Sequence, residues 1–346
     1  MKEKEMPFPL GKIDDFRVYL PPEDLDEKTA MLQVRQFNDA NRSFAEKFNC
    51  SGETPRISAS FVYAHPADYR GKPMLHADVS AWRTELQRLK DMHIDSVIFQ
   101  AALWRELNEC FYRSKSYSFM KQYPVAETLL EAAEQEKIRV YLGGYGSLAR
   151  WREQYFEKEL KVDIAQHRRC FQELKDFPSV AGFYFPCETS YADRRLPEKE
   201  HRMHILYRNF SDMVKSCNPN LKIIISPATM HRPERNPEFI EFWNAILEDT
   251  QIDILMPQDC IGNCCSHLEE IPAQWQAWRK IADENKMKLW SHTELFERRS
   301  FYEPVNLYPA SPRRVAAQLA LTAPYAERHC CWEALHFASA DAGGEG

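Results

Sequence analysis

Val180-Ala-Gly-Phe-Tyr-Phe-Pro-Cys-Glu188 runs without a charge until it ends on a carboxylate. A continuous apolar run of this length predicts a strand buried on both faces, the kind that parallel sheets contain. Such strands present their chemistry at the C-terminal end, where the following loop opens to solvent. Glu188 stands at that end. Lys288-Leu-Trp-Ser-His-Thr-Glu294 repeats the pattern and also closes on a glutamate.

Working outward from these two runs, strands also read at 57–65, 96–103, 139–146, 222–227 and 252–259, with a last short one within 331–339. Helical periodicity fills the intervals. A helix over 23–49 carries Val34, Phe37, Phe44 and Phe48 on one face, and another, capped by Asp78 or Ser80, turns Val79, Trp82, Leu86 and Leu89 inward. Further helices read from Pro124 to about Lys137, over 148–177 in two pieces, from Pro197 onward, over 236–247, around Trp275, Trp278 and Ile281, and after Ser311-Pro312. Eight strands alternating with helices, with no break in composition, predict one (β/α)8 barrel of the α/β class over residues 55–340. Residues 1–54 would form an arm and a helix packing on it, and 341–346 a loose tail. No amphipathic segment follows the last strand. The helix over 23–49 is therefore expected to cover the seam between strands eight and one and to bury Phe37, Phe44 and Phe48. A doubly wound open sheet is the alternative, disfavoured because no Gly-x-Gly-x-x-Gly turn follows the first strand and no phosphate-binding loop occurs.

With 346 residues, a net charge of −6, 28% charged and 44% hydrophobic residues, the composition is that of an ordinary globular protein. No Lys/Arg block appears, which argues against a nucleic-acid partner. No stretch approaches the roughly 20 apolar residues of a membrane span. The first ten residues alternate charge and proline rather than forming a signal peptide, so the expected address is cytoplasmic, or exported if a leader has been removed. The ten cysteines are then expected to be reduced thiols. Cys260, Cys264, Cys265 and His267 are crowded, as are His329, Cys330 and Cys331, but neither group has the paired C-x-x-C spacing of a zinc site. His65 ends the first strand alone, without the His-x-His of a metal-dependent hydrolase barrel. Neither metal nor cofactor is expected.

Two glutamates at the ends of two such strands are what glycosidic bond cleavage needs, one as acid and one as nucleophile or base. A single strand-end glutamate is more often merely solvated or salt-bridged. Two on matching ends, each behind an apolar run, favour the paired role. Glu188 follows Tyr-Phe-Pro-Cys with no charge nearby, which favours its protonated form. Glu294 shares a strand face with His292, a donor that could hold it ionised. Gln258-Asp259 ends another strand, and period two lets only one of the pair face the barrel axis. Asp259 could grip sugar hydroxyls, orient His292 or simply cap the following loop. Trp104, Tyr145 and Trp151, with Tyr112, Phe296 and Tyr302, offer ring faces to a sugar, and Gln100 and Tyr184 lie near strand ends. Ordinary packing competes with that reading for any one ring.

Gly182-Phe-Tyr-Phe-Pro-Cys-Glu188, Asp253-Ile-Leu-Met-Pro-Gln-Asp259 with Gly262, and Leu289-Trp-Ser-His-Thr-Glu294-Leu-Phe296 resemble a barrel family, domain of unknown function 4434. The resemblance covers roughly residues 55–340, and the family looks related to glycoside hydrolases. Glutamates ending strands four and seven are also similar to the arrangement of clan A glycoside hydrolases, which retain anomeric configuration. These likenesses imply a carbohydrate substrate, an oligo- or polysaccharide, with Glu188 as acid/base and Glu294 as nucleophile. One residue departs from the pattern. Clan A has asparagine before its acid/base, where it binds the sugar next to the scissile bond, and here Cys187 stands there. That departure keeps open a second reading, a non-catalytic carbohydrate-binding barrel.

Overall fold

The computed structural model describes residues 27–49, 54–62, 78–105, 108–146, 156–191, 197–299 and 307–338. Eight parallel strands close into a barrel: β1 (Ala59–Val62), β2 (Ser96–Phe99), β3 (Arg139–Gly143), β4 (Val180–Tyr184), β5 (Lys222–Ile225), β6 (Ile254–Leu255), β7 (Lys288–Glu294) and β8 (Arg328–Trp332). β8 pairs back onto β1 through Ala59 with Cys330 and Ser60 with Cys331. Around the barrel lie α1 (Glu27–Lys47), α2 (Val79–Asp91), α3 (Val125–Glu136), α4 (Phe156–Leu174), α5 (Pro197–Cys217), α6 (Asn236–Leu247), α7 (Ile271–Glu284), α8 (Pro312–Thr322) and the short α9 (Ala334–Phe337).

Most of the strand runs are largely apolar because both faces are covered. Phe61, Ile98, Tyr141, Tyr184, Ile224, Ile254, Met256 and Trp290 fill the interior, while Val97, Phe99, Leu142, Phe183, Ile225 and Leu289 pack outward against the helices. Helix starts follow the capping residues in the sequence. The Asp78 carboxylate accepts from the Ala81 amide at 2.7 Å, and Ser311 Oγ from the Arg314 amide at 3.2 Å. At the N-terminal end of the barrel Arg328 pairs with Asp95 and lies over the Trp290 ring, 4.7 Å from its centroid. This end reads as structure, which leaves the opposite end for chemistry.

Two glycines, Gly143 and Gly144, decide how the chain leaves the barrel; a Cβ on Gly144 would lie 2.5 Å from His167 Nδ1. A Cβ on Gly143 would lie 1.9 Å from the Gln100 carbonyl oxygen, so only glycine lets β3 close on β2. The chain then steps sideways. Tyr145–Gly146 leaves the barrel for a small four-stranded sheet with Leu103–Trp104, Glu109–Cys110 and Lys121–Gln122. The strands expected over 96–103 and 139–146 are thus each split between barrel and side sheet. The eighth strand lies earlier than expected, at 328–332, and 334–337 is helix. Helix α4 is one piece over its described length, and residues 148–155 lie outside the described residues, as does His65.

Helix α1 corrects another expectation. Its main partners are α8 and the 3-10 turn Leu268–Glu270, not the seam between β8 and β1. Its buried stripe is Ala30, Val34, Asn38, Asn41 and Ala45, with Phe37, Phe44 and Phe48 half-buried. Phe37 stacks on His267 at 4.1 Å. Two asparagines on the stripe fasten loops: Asn38 Nδ2 donates to the Arg298 carbonyl at 2.8 Å, and Asn41 Oδ1 accepts from the Leu268 amide at 2.8 Å. Deleting residues 1–50 bares the α8 face and leaves those loop groups unpaired, so the product should aggregate or unfold. A soluble truncate with an unchanged melting temperature would contradict this. Among the described residues no helix is long and apolar enough to cross a membrane.

Candidate active site

β4 delivers Glu188 through a bend. Tyr184 is its last residue, the Phe185 amide reaches the Ile224 carbonyl at 3.0 Å, and the Cys187 amide folds back onto the Phe185 carbonyl at 2.8 Å. Proline at 186 suits a strand end, where no ladder hydrogen bond is lost. Phe185 and Cys187 turn into the outer core, and Glu188 is the exposed residue of the run. Solvent reaches its carboxyl, yet crowding by protein atoms still pushes its pKa above the usual carboxylate range, opposed by a hydrogen bond from Gln258 and the charge of Arg298.

β7 delivers Glu294 by alternation. Trp290 belongs to the interior, and His292 stacks on Phe61 inside the barrel at 4.6 Å, so Glu294 takes the same inward side at the rim. It is 3% exposed. The loop after β6 closes over it, with the Asn263 amide donating to Glu294 Oε2 at 2.7 Å. Gly262 permits that approach, since a Cβ there would lie 2.2 Å from the Phe296 carbonyl oxygen. Burial first, then the negative charge of Asp259, pushes the Glu294 carboxyl up; the Asn263 amide, Arg314 and Arg298 oppose this. The charge of Arg298 thus reaches both glutamates.

A polar row joins the two strands across the interior. Gln258, which bonds Glu188, also donates from Nε2 to the Ser226 carbonyl at 3.1 Å, and Ser226 Oγ meets His292 Nδ1 at 2.8 Å. His292 does not hold Glu294 ionised, as its position in the sequence suggested. Burial lowers its pKa to about 3, so the ring is neutral, and Nε2 has no hydrogen-bond partner among the described residues. Tyr184 belongs to this row as well: it packs edge-on to Phe61 at 5.2 Å and feels the Glu188 charge. Gln100 follows β2, half-buried, on the side that Ile98 turns inward.

Other expected site residues lie elsewhere. Gln258 is the inward member of its pair. Asp259 faces out, wholly buried, and its carboxylate accepts from Gln318 Nε2 at 2.6 Å and the Ile261 amide at 3.2 Å, so it caps the loop; it meets His292 only through the backbone, its amide donating to the His292 carbonyl at 3.0 Å, and does not orient the ring. Tyr145 is wholly buried in the outer core, where its backbone amide donates to His167 Nδ1 at 3.2 Å. Trp104 packs half-buried over Gly146, where a Cβ would meet its ring at 2.5 Å. Tyr112 and Phe296 are core residues. Trp151 and Tyr302 lie outside the described residues. The described cysteines are free thiols, and among the described residues no group of three His, Cys, Asp or Glu is placed to hold a metal ion.

Arg298, Arg314, Gln318, Ser226 and Asn263 are site residues that sequence reasoning did not single out. Arg298 sits in a Glu-Arg-Arg run that reads as solvated charge, and Arg314 and Gln318 sit on a helix whose buried face otherwise carries Ala317, Leu319 and Thr322. Arg298 follows Glu294 by four residues and Ser226 meets His292, whereas Arg314, Gln318 and Asn263 reach Glu294 only through the packing of α8 and the β6 loop on β7.

A family model described as Domain of unknown function (DUF4434) matches residues 74–342. No curated protein sequence matches the chain. Among solved structures, the chain is similar to a Bacteroides thetaiotaomicron VPI-5482 protein named "putative alpha-L-fucosidase", at 19% identity and a TM-score of 0.66, over 84% of this chain and 93% of that one. It is also similar to the beta-galactosidase of the psychrophilic Marinomonas ef1, at 8% identity and a TM-score of 0.54, over 80% of this chain and 54% of that one. A variant of GH5_18 from Streptomyces cattleya, in complex with Manb1-4GlcNAc, aligns at 13% identity and a TM-score of 0.50, over 80% of this chain and 70% of that one. At these identities the likeness is one of fold.

Proposed function

The chain belongs to the DUF4434 family, and on that premise we propose that it is a glycoside hydrolase acting on an oligo- or polysaccharide with retention of anomeric configuration. The observation that carries this reading is a pair of glutamates at the C-terminal ends of β4 and β7, in the field of one guanidinium, Arg298. Similarity to barrels named as glycosidases supports the same reaction class.

In this mechanism Glu188, the member of the pair open to solvent, protonates the glycosidic oxygen as the bond breaks, while Glu294, whose pKa burial and Asp259 also raise, reacts from its ionised fraction. The Glu294 carboxylate attacks the anomeric carbon and forms a glycosyl ester, with the two carboxyls about 5–5.5 Å apart, as double displacement requires. Glu188, now ionised, takes a proton from water, which attacks the same carbon and releases Glu294. Gln258, His292, Tyr184 and Gln100 would meet sugar hydroxyls at the floor of the mouth. His292 offers the strongest reason, because a buried ring nitrogen without a partner costs stability unless a ligand meets it.

A panel of aryl glycosides tests the reading, and hydrolysis of one of them is the expected result. A second reading has an observation in its favour: Cys187, where clan A has asparagine, is buried in the outer core and turns no polar group to a sugar. If no glycoside is cleaved while sugars still bind at the mouth, the protein is a carbohydrate-binding barrel.

A further inference from the structure

We propose that Asp259, Arg314 and Gln318, standing behind β7 outside the cleft, form a positioning girdle that fixes Glu294 and sets its charge; the inference rests on the proposed role of Glu294. Arg314 and Gln318 are four apart on α8 and so share one helix face. Arg314 Nη2 donates to the Glu294 carbonyl at 3.1 Å and the Phe296 carbonyl at 2.5 Å. Gln318 Nε2 donates to Asp259 Oδ2 at 2.6 Å and to the Glu294 carbonyl at 3.4 Å. The Glu294 amide in turn donates to Asp259 Oδ1 at 3.4 Å. Three elements, the β6 loop, β7 and α8, are thus tied together at the residue whose side chain enters the mouth.

The charges give the girdle its second task. Asp259, Glu294 and Arg314 are all buried, at 0%, 3% and 2% exposure, and one cation stands against two carboxyls. Such a set resists holding both carboxyls ionised, and its protonation belongs to the group as a whole. Arg314 makes two carbonyl contacts that a neutral amide could also make, yet its Nε and Nη1 have no hydrogen-bond partner among the described residues. Burying an arginine with donors unused is costly. Its charge therefore accounts for its presence better than its hydrogen bonds do. The other titratable groups facing this set are Arg298 and Glu297 from the hairpin strand Phe296–Arg298, which follows β7 and pairs with Leu307–Pro309, and the thiols of Cys260, Cys264 and Cys265 from the β6 loop, kept neutral by burial. His292 lies two residues earlier on β7, neutral.

The signs of the two charges are opposite, and so are the expected effects. Asp259 disfavours the Glu294 carboxylate and Arg314 favours it. Asp259→Asn should let Glu294 ionise at lower pH, and Arg314→Gln only at higher pH, each by on the order of one pH unit. The readout is carbon-13 NMR titration of the glutamate carboxyls in the full chain, with the Glu294 resonance identified by its loss in Glu294→Gln. This needs no substrate, so the girdle and the hydrolase reading can fail separately. Where a glycoside is turned over, the acid limb of kcat/KM should move in the same two directions. Arg314→Lys keeps the charge and should stay close to the parent profile. Shifts of the same sign in Asp259→Asn and Arg314→Gln, no shift in either, or Arg314→Lys tracking Arg314→Gln would overturn the proposal. So would loss of folding in both Asp259→Asn and Arg314→Lys, since that would make the set purely structural.

Discussion

Glu294→Gln should lower kcat on every glycoside by on the order of 10⁵ or more, the scale on which loss of a covalent nucleophile is felt. The amide keeps the shape of the side chain, and its oxygen can still accept from the Asn263 amide that now lies 2.7 Å from Oε2. What it removes is the negative oxygen that attacks the anomeric carbon. No other described carboxylate replaces it, because Asp259 faces outward and Glu188 belongs to the opposite strand. The variant should also melt no lower than the parent at neutral pH. Burial and Asp259 raise the Glu294 pKa in the folded state above its unfolded value. A raised carboxyl favours folding only while it is protonated, so its contribution is whole below the ordinary carboxylate range and is lost as pH rises through the folded pKa. The amide never ionises and escapes that loss. Inactivity combined with unchanged or higher melting separates a reacting group from a structural one, and retained activity would remove Glu294 from the mechanism.

Glu188→Gln should behave differently on different substrates. A poor leaving group, such as a sugar hydroxyl, needs its proton as the bond breaks, and losing a positioned acid costs roughly 10²–10⁴ in rate. An aryl glycoside with an acidic phenol leaves as the anion and needs little help, so its first step should be nearly spared. The alkaline limb of the pH profile should vanish with the acid. Equal losses on both substrate types would show that Glu188 does not donate the proton.

Much of the barrel was legible because a parallel strand buried on both faces has to be written as an apolar run, and the helices between have to be amphipathic. The failures came where the third dimension decides. The sequence of α1 shows which face is apolar, but not whether that face meets α8 or the seam of the barrel. β8 hides in Arg-His-Cys-Cys-Trp, where crowded cysteines draw attention to metals and away from strand alternation. Tyr145 lies in a run with the right rings at the right end of the barrel, yet Gly143-Gly144 hands it to a side sheet and into the core. At the candidate site, the strand-end places of the two glutamates could be read, and so could the Gln258-Asp259 pair, but not which member of that pair turns inward. The groups that set their charge come from elsewhere: Arg298 from a hairpin and Arg314 from α8. Arg298 lies only four residues beyond Glu294 but in a charged run that reads as solvated, and no linear spacing links Arg314 to Glu294.

The most direct test of the two-glutamate mechanism is the anomeric configuration of the first product, followed by proton NMR from the earliest turnovers of whichever glycoside is cleaved. Double displacement through Glu294 inverts the anomeric carbon twice, so the sugar should appear first with the configuration of the substrate and only later mutarotate. Product appearing first as the opposite anomer would mean a single displacement by water, with no glycosyl ester on Glu294, and would contradict the account.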